Sequence, residues 1–448
     1  MARITLRQAA QWCGGWVEPK YENVTFVGAN IDSRKLLPGQ LFVAVVAARD
    51  GHDFIPGALE KGAAAVLCSR VTGDFPAIVV EDTRIALGKI AAGLLQAMAP
   101  KIVGVTGSVG KSTTKEMIAA VLATQYKVSK TPANHNNDLG MPSAVLAMNA
   151  DSQVVVLEMG MSHFGEISYL SRMAKPHLGV IINIGTMHIE NLGSQEGILQ
   201  AKLEITEGMG ESGKLLLYGD DAHLWGSREK LPVPAIFFGA ANDLCAVKAE
   251  DVTESPEGIR YTACCPAGIF PVYLPLEGQH YVPDSLAAIS VGLELGITPE
   301  NIQKGLAEFR TMEGRQEIFE HKGCTVIKDC YNAGPESMDA ALKVLGNRTG
   351  RKIAVLGDML ELGSHSKAAH EKVGILAAER ADILLCYGPE SAAMHAGAKN
   401  AGMTDAHHYL DRQSMSNDLR ALAKPGDVLL FKGSRGMQME LVLEMFMK

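Results

Sequence analysis

The stretch Gly104-Val-Thr-Gly107-Ser-Val-Gly110-Lys111-Ser112-Thr113-Thr114 constrains this chain more than any other. An apolar run at 102–105 precedes it and a helical pattern at 111–122 follows it. Glycines let the backbone bend until several N–H groups converge, and a helix start adds a favourable dipole for an anion. That geometry suits the phosphates of a nucleotide. Gly107, Ser108, Val109, Gly110 and Thr113 would cradle them, Lys111 would neutralise β- and γ-phosphate charge, and the Ser112 hydroxyl would reach Mg²⁺. The spacing departs from the ordinary phosphate loop, because Val105 stands where the first glycine belongs. A tight turn with a surface lysine is the simpler reading, and the strand–turn–helix setting weighs against it.

Short apolar runs recur at 154–157, 178–184 and 214–217 between helical segments, which indicates a parallel sheet covered on both faces. Residues up to 98 differ. There, β-like runs at 41–46, 63–67 and 77–80 lie between Gly- and Pro-marked turns, and an Ala/Leu-rich helix at 84–98 ends the region. From 311 a second doubly wound pattern begins, with strands at 325–328, 352–356, 383–387 and 428–432 and a helix at 366–379. A chain of 448 residues is too long for one core. The expectation is an α/β protein of three domains: a small mixed unit at 1–98, a central phosphate-loop ATPase unit with a mainly parallel sheet at 99–310, and a doubly wound, Rossmann-like unit at 311–448. Ligands of such sheets lie beyond the carboxyl ends of the strands, which favours a site between the last two units.

A formal net charge of −8 argues against sequence-independent nucleic-acid binding. No apolar run reaches the length of a membrane span. Residues 1–17 lack a cationic segment followed by an apolar core, so no export signal is expected. The eight cysteines are scattered without metal-ligand spacing, which fits a reduced, cytoplasmic protein.

A phosphate loop alone does not choose between motor, kinase, switch and ligase. Glu158, ending Val154-Val-Val-Leu-Glu158, falls at the carboxyl edge beside the phosphates, where a carboxylate can hold Mg²⁺. His188 follows the next strand and Lys202 comes after it. Singly, His188 reads as a loop histidine and Lys202 as a solvated helix residue, and composition leaves both undecided.

Together these residues resemble the Mur ligase family of peptidoglycan synthesis. The family loop has the form Thr-Gly-Ser/Thr-x-Gly-Lys-Ser/Thr, matched by Thr106 to Ser112, and it shares the departure at Val105. The resemblance implies that Glu158, His188 and Lys202 join Ser112 in a site for two Mg²⁺ ions. It also implies that Lys202 is carbamylated, turning a cation into a carboxylate-like group. Four further strings resemble the branch of the family that adds a dipeptide: Asn134-His-Asn136-Asn137-Asp-Leu-Gly140-Met-Pro142, Asp329-Cys-Tyr331-Asn332-Ala-Gly-Pro335-Glu-Ser337-Met338, Val355-Leu-Gly357-Asp358-Met359-Leu-Glu361-Leu-Gly363 and Lys432-Gly-Ser434-Arg435-Gly436. The Asp-Asn-Pro-Arg string of the diaminopimelate-adding relative is absent.

What the resemblance implies is an ATP-dependent, amide-forming ligase acting through an acyl phosphate. Its substrates would be UDP-N-acetylmuramoyl-tripeptide and D-alanyl-D-alanine, its product the pentapeptide precursor, and its working form a monomer. Asp32-Ser33-Arg34, Pro38-Gly39 and Asp50-Gly51-His52-Asp53-Phe54 resemble the family's uridine-nucleotide unit, which makes Ser33 and Arg34 candidate UDP contacts. An Asx-type turn is an equal reading of Asp32. Arg315 would meet an ATP phosphate on domain closure, or else is a linker charge. Asn137 is a nucleotide candidate, Asp329 a ribose candidate and Asn332 a dipeptide candidate. Where the family has His-Asn-x-x-Asn before Leu-Ala-Ala, this chain reads His280-Tyr281-Val-Pro-Asp284, and the expected adenine-side asparagines are missing. Two rivals share the loop: a folate polyglutamate-adding ligase, which the 355–363 string disfavours, and a phosphate-loop switch that turns over ATP without a carboxylate substrate.

Overall fold

Buried runs of Val, Ile and Leu form three larger β-sheets flanked by helices, beside a small antiparallel pair of Ile4–Thr5 with Thr25–Phe26, in the computed structural model of residues 1–448. In the N-terminal domain, Ala29–Asn30, Leu41–Val43, Ala65–Cys68 and Ala77–Val79 make a four-stranded parallel sheet. The strand expected to run to residue 46 stops at Val43, and Val46 is exposed. Helix Thr83–Met98 follows, its first turn capped by the Asp82 carboxylate, which accepts from the N–H groups of Arg84 and Ile85.

The central sheet has nine strands, in the order Gly268–Leu274, Gly258–Cys265, Val247–Ser255, Ala235–Gly239, Lys214–Tyr218, Leu178–Ile181, Lys101–Thr106, Val154–Glu158, Val128–Lys130. Pairing is parallel from Val128–Lys130 to Val247–Ser255, and then turns antiparallel for the last two strands. That antiparallel extension has one wet face. Along Gly268–Leu274, Phe270, Val272 and Leu274 are buried while Ile269 and Pro271 are exposed, a two-residue alternation that a sheet covered on both faces would not need.

The C-terminal sheet runs Glu317–His321, Cys324–Asp329, Val428–Lys432, Lys352–Gly357, Ile383–Tyr387, Ala406–Tyr409, parallel except for the first strand.

Cores link these domains unequally. One apolar cluster runs without a break from Leu6, Leu41 and Leu87 in the N-terminal domain to Met141, Leu157 and Leu217 in the central one. Gly88 allows this approach, since a Cβ there would stand 2.0 Å from the Tyr169 hydroxyl. The C-terminal domain keeps its own clusters, built from residues between Cys324 and Phe446. No helix is long and apolar enough to cross a membrane.

Candidate active site

Strand Lys101–Thr106 pairs with Val154–Glu158 on one side and Leu178–Ile181 on the other, so the segments that follow all three gather at one edge. Gly110 has φ +87, left-handed backbone that a side chain would strain. Lys111 curls over its own loop, its Nζ donating to the carbonyls of Gly107 at 2.8 Å and Ser108 at 3.1 Å. Burial depresses its pKa; the Glu158 charge opposes this and Arg315 adds to it. Asn183 splints the loop. Its Oδ1 accepts from the N–H groups of Ser108 and Val109 at 3.0 and 2.9 Å, and its Nδ2 donates to the Val109 carbonyl at 3.0 Å. Two amides that the glycine pattern offered to phosphates are thus already bonded within the protein.

Glu158 is buried at the end of its strand. Asn136 Nδ2 donates to its Oε1 at 2.8 Å, and Oε2 is buried without a hydrogen-bond partner, 3.7 Å from Lys115 Nζ. Lys115, fully buried one turn beyond Lys111, donates to the Thr131 carbonyl at 2.7 Å. Lys202 is 2% exposed, and its pKa lies far below the usual lysine range because burial disfavours the ammonium and Lys111 repels it. Of the expected metal group, Ser112, Glu158 and His188 line one cleft. No three His, Cys, Asp or Glu side chains converge closely enough to hold an ion by themselves. His188, at φ +63, places Nδ1 2.8 Å from Glu361 Oε2 of the C-terminal domain, out of hydrogen-bond alignment.

Across a cleft of about 1370 Å³ the C-terminal domain presents a polar wall. Arg315 stacks 4.1 Å from the centre of the Tyr331 ring and donates to Ser112 Oγ at 2.9 Å. It is therefore no free linker charge. Asp329 accepts from Lys432 Nζ at 2.6 Å, which also donates to the Asn332 carbonyl at 3.0 Å. Glu336 Oε1 accepts from both the N–H and the hydroxyl of Thr186, at 2.9 and 3.0 Å.

The cleft brings together Ser108, Val109, Gly110, Lys111, Ser112, Thr113, Asn137, Glu158, His188, Arg315, Asp329 and Asn332. Asn137 is partly committed, its Oδ1 receiving the Gly140 N–H at 2.7 Å. Ser33 and Arg34 do not line this cleft, and Arg34 folds back on Asp32 with contacts of 2.9 and 2.8 Å. The turn reading of Asp32 holds as well, since its Oδ1 accepts the Arg34 N–H. At the positions of the missing asparagines, Tyr281 lies buried, its hydroxyl 3.4 Å from Gln316 Oε1, and Asp284 bonds Thr114. Sequence reasoning missed Lys115, Asn183 and Glu336. Asn183 had a signal, standing directly after an apolar strand beside the phosphate loop.

Comparison with known proteins fits this geometry. Residues 105–292 match the Mur ligase middle domain, 314–435 the Mur ligase, glutamate ligase domain, and 23–126 the Mur ligase family, catalytic domain. The UDP-N-acetylmuramoyl-tripeptide–D-alanyl-D-alanine ligase of Bacillus subtilis is 39% identical, the match covering 99% of this chain and 98% of the relative. The crystal structure of MurF from Acinetobacter baumannii superposes with a TM-score of 0.92 at 30% identity, covering 100% of this chain and 99% of that one. MurF ligase from Thermotoga maritima in complex with ADP gives 0.83 at 32% identity, with 94% and 97% covered. With these similarities spanning nearly its whole length, the chain belongs to the Mur ligase family.

Proposed function

We propose that this chain is an ATP-dependent ligase that joins D-alanyl-D-alanine to UDP-N-acetylmuramoyl-tripeptide, releasing ADP and phosphate. The observation that carries this reading is the cleft itself. A phosphate loop, a buried carboxylate with a free oxygen and a polar wall from a second domain face one another there.

A carboxylate does not react with an amine in neutral water, because oxide is a poor leaving group. Transfer of the ATP γ-phosphoryl group to the tripeptide carboxylate creates an acyl phosphate, which the dipeptide amine attacks. The tetrahedral species then collapses to amide and phosphate. Both steps build negative charge on oxygen, so cations already in place lower both barriers. Lys111, released from the carbonyls of Gly107 and Ser108, supplies one, and Arg315, released from Ser112, supplies a second.

The residues fit two Mg²⁺ ions. Glu158 Oε2 is buried without a donor, and burial favours in Lys202 the neutral amine that adds to CO₂ to give a carbamate and a proton. We assign Ser112, Glu158, His188 and carbamylated Lys202 to hold the ions, which when bound neutralise phosphate charge. The phosphate loop with Asn137 takes the nucleotide, Asp329 its ribose and Asn332 the dipeptide. Ser33 and Arg34 take the uridine nucleotide. We divide the chain at 98 and 310 accordingly, into uridine-nucleotide, ATP and dipeptide domains. We take the chain to work as a monomer and place it in the cytoplasm with its nucleotide substrates.

Incubation with ATP, D-Ala-D-Ala and UDP-N-acetylmuramoyl-tripeptide containing lysine or diaminopimelate, followed by mass spectrometry, tests this directly. The pentapeptide should form with at least one tripeptide. ATP turnover without pentapeptide would overturn the reading in favour of a switch.

A further inference from the structure

We propose that Asp284 is a positioning residue for the phosphate loop and that it makes nucleotide affinity fall as pH rises. The inference rests on the nucleotide site proposed above and concerns a residue that the reaction itself does not use.

Asp284 lies on helix Tyr281–Glu294, which packs along the loop helix Lys111–Ala123. It is 3% exposed, its Oδ1 is 2.6 Å from Thr114 Oγ1, and a Cβ on Gly110 would stand 2.8 Å from the same oxygen. Thr114 Oγ1 also lies 3.0 Å from the Gly110 carbonyl. A threonine hydroxyl carries one proton. The Gly110 carbonyl already accepts the Thr114 N–H at 2.9 Å, so the hydroxyl can donate to an ionised Asp284 or, when the carboxyl carries its own proton, accept from it and donate to Gly110. When Asp284 ionises, Thr114 turns its proton to the carboxylate, and a buried negative charge sits beneath the loop that must receive a polyphosphate.

The titratable groups acting on Asp284 are few. Arg315, from the segment entering the C-terminal domain, pulls its pKa down, and Tyr281 on its own helix carries no charge near neutrality. Lys111 turns its ammonium back to the loop carbonyls. Burial outweighs the Thr114 bond and Arg315, and raises the carboxyl to about 7. An asparagine here would hold Thr114 with a permanent donor, as the protonated acid does, without the charge.

Calorimetric titration of the full-length protein with ADP and Mg²⁺ across neutral pH tests this. The wild type should lose affinity above neutrality, by up to about tenfold per pH unit, while Asp284→Asn keeps its low-pH affinity throughout. Thr114→Val, which preserves shape but removes the bond favouring the charged form, should move the loss to higher pH. Thermal melts establish that both variants fold. Equal pH profiles for wild type and Asp284→Asn would overturn the proposal while leaving the nucleotide site intact. No ADP binding by the wild type at any pH would overturn both.

Discussion

The two junctions of the central domain are built from different physics. On its N-terminal side, a single apolar cluster crosses the boundary, with Leu87, Ile90 and Leu94 packed into the same core as Met141, Ile167 and Leu170. On its C-terminal side, the apolar clusters stop and polar contacts cross instead: Arg315 to Ser112, Glu336 to Thr186, His188 to Glu361, and Arg348 to Glu277. Apolar burial scales with area and tolerates no gap, whereas an exposed polar contact such as Glu336 to Thr186 can exchange with water at little net cost. The first junction is a weld and the second a latch. A ligase that must admit three substrates and then exclude water needs one of each.

The sharpest test of this asymmetry removes the charge that both sides serve. Lys111→Ala should abolish D-Ala-D-Ala-dependent phosphate release, since losing one preorganised electrostatic partner typically costs about 3 kcal/mol of barrier, roughly a hundredfold in rate. Near-normal release from the folded variant would remove Lys111 from the mechanism. Stability should respond on the welded side. Leu87 is fully buried, and Leu87→Ala should cost about 2–5 kcal/mol. Calorimetry should find the N-terminal and central domains melting together at lower temperature, with the C-terminal transition unmoved. Separate N-terminal and central transitions would break the weld.

The converse experiment perturbs the C-terminal body alone. Asp427 is 4% exposed, and Arg351 forks onto it with contacts of 3.0 and 2.6 Å while the Lys424 N–H adds a third. Burial pushes its pKa up, but these donors outweigh it and hold the carboxyl below the usual range. A depressed pKa gives stability that is present above the unfolded value and lost as pH falls through the folded one. Asp427→Asn should therefore lower the C-terminal melting transition by about 1–3 kcal/mol at neutral pH and flatten its acid limb. A matching shift in the N-terminal transition would contradict the separation of bodies.

The same contrast explains what the sequence made legible. Strands such as Val154–Glu158 and Val428–Lys432 are short apolar runs buried on both faces, and such runs are read directly from composition. Gly258–Cys265 and Ala406–Tyr409 are half-exposed and carry Arg260 or His407 and His408, so no apolar run marks them. The phosphate loop and Glu158 were readable because glycine geometry and a strand end fix their positions. Lys115 was not, since on a helix it looks like any solvated lysine, and only the Thr131 carbonyl and Glu158 explain its burial. Glu336 escaped for the same reason. Its partner, Thr186, is distant in sequence and meets it only when the two sheets face each other.

Glu336 also offers the finest test of the latch. It lies in the first turn of helix Pro335–Gly346, where the dipole favours its charge, and reaches the Thr186 backbone next to His188. Because the contact is solvent-exposed, its loss should not move the melting of either body. Glu336→Gln keeps an acceptor but drops the charge, so it should raise KM for D-Ala-D-Ala by about twofold to fivefold and leave kcat near its wild-type value. Glu336→Ala, without an acceptor, should go further in the same direction, and added salt should narrow the gap between wild type and both variants. Closure would then be a binding step, held by contacts weak enough to open after each turnover. A fall in kcat with KM unchanged would mean instead that Glu336 acts in the chemical step, and the polar junction would have to be counted as part of the catalytic machinery rather than as its clasp.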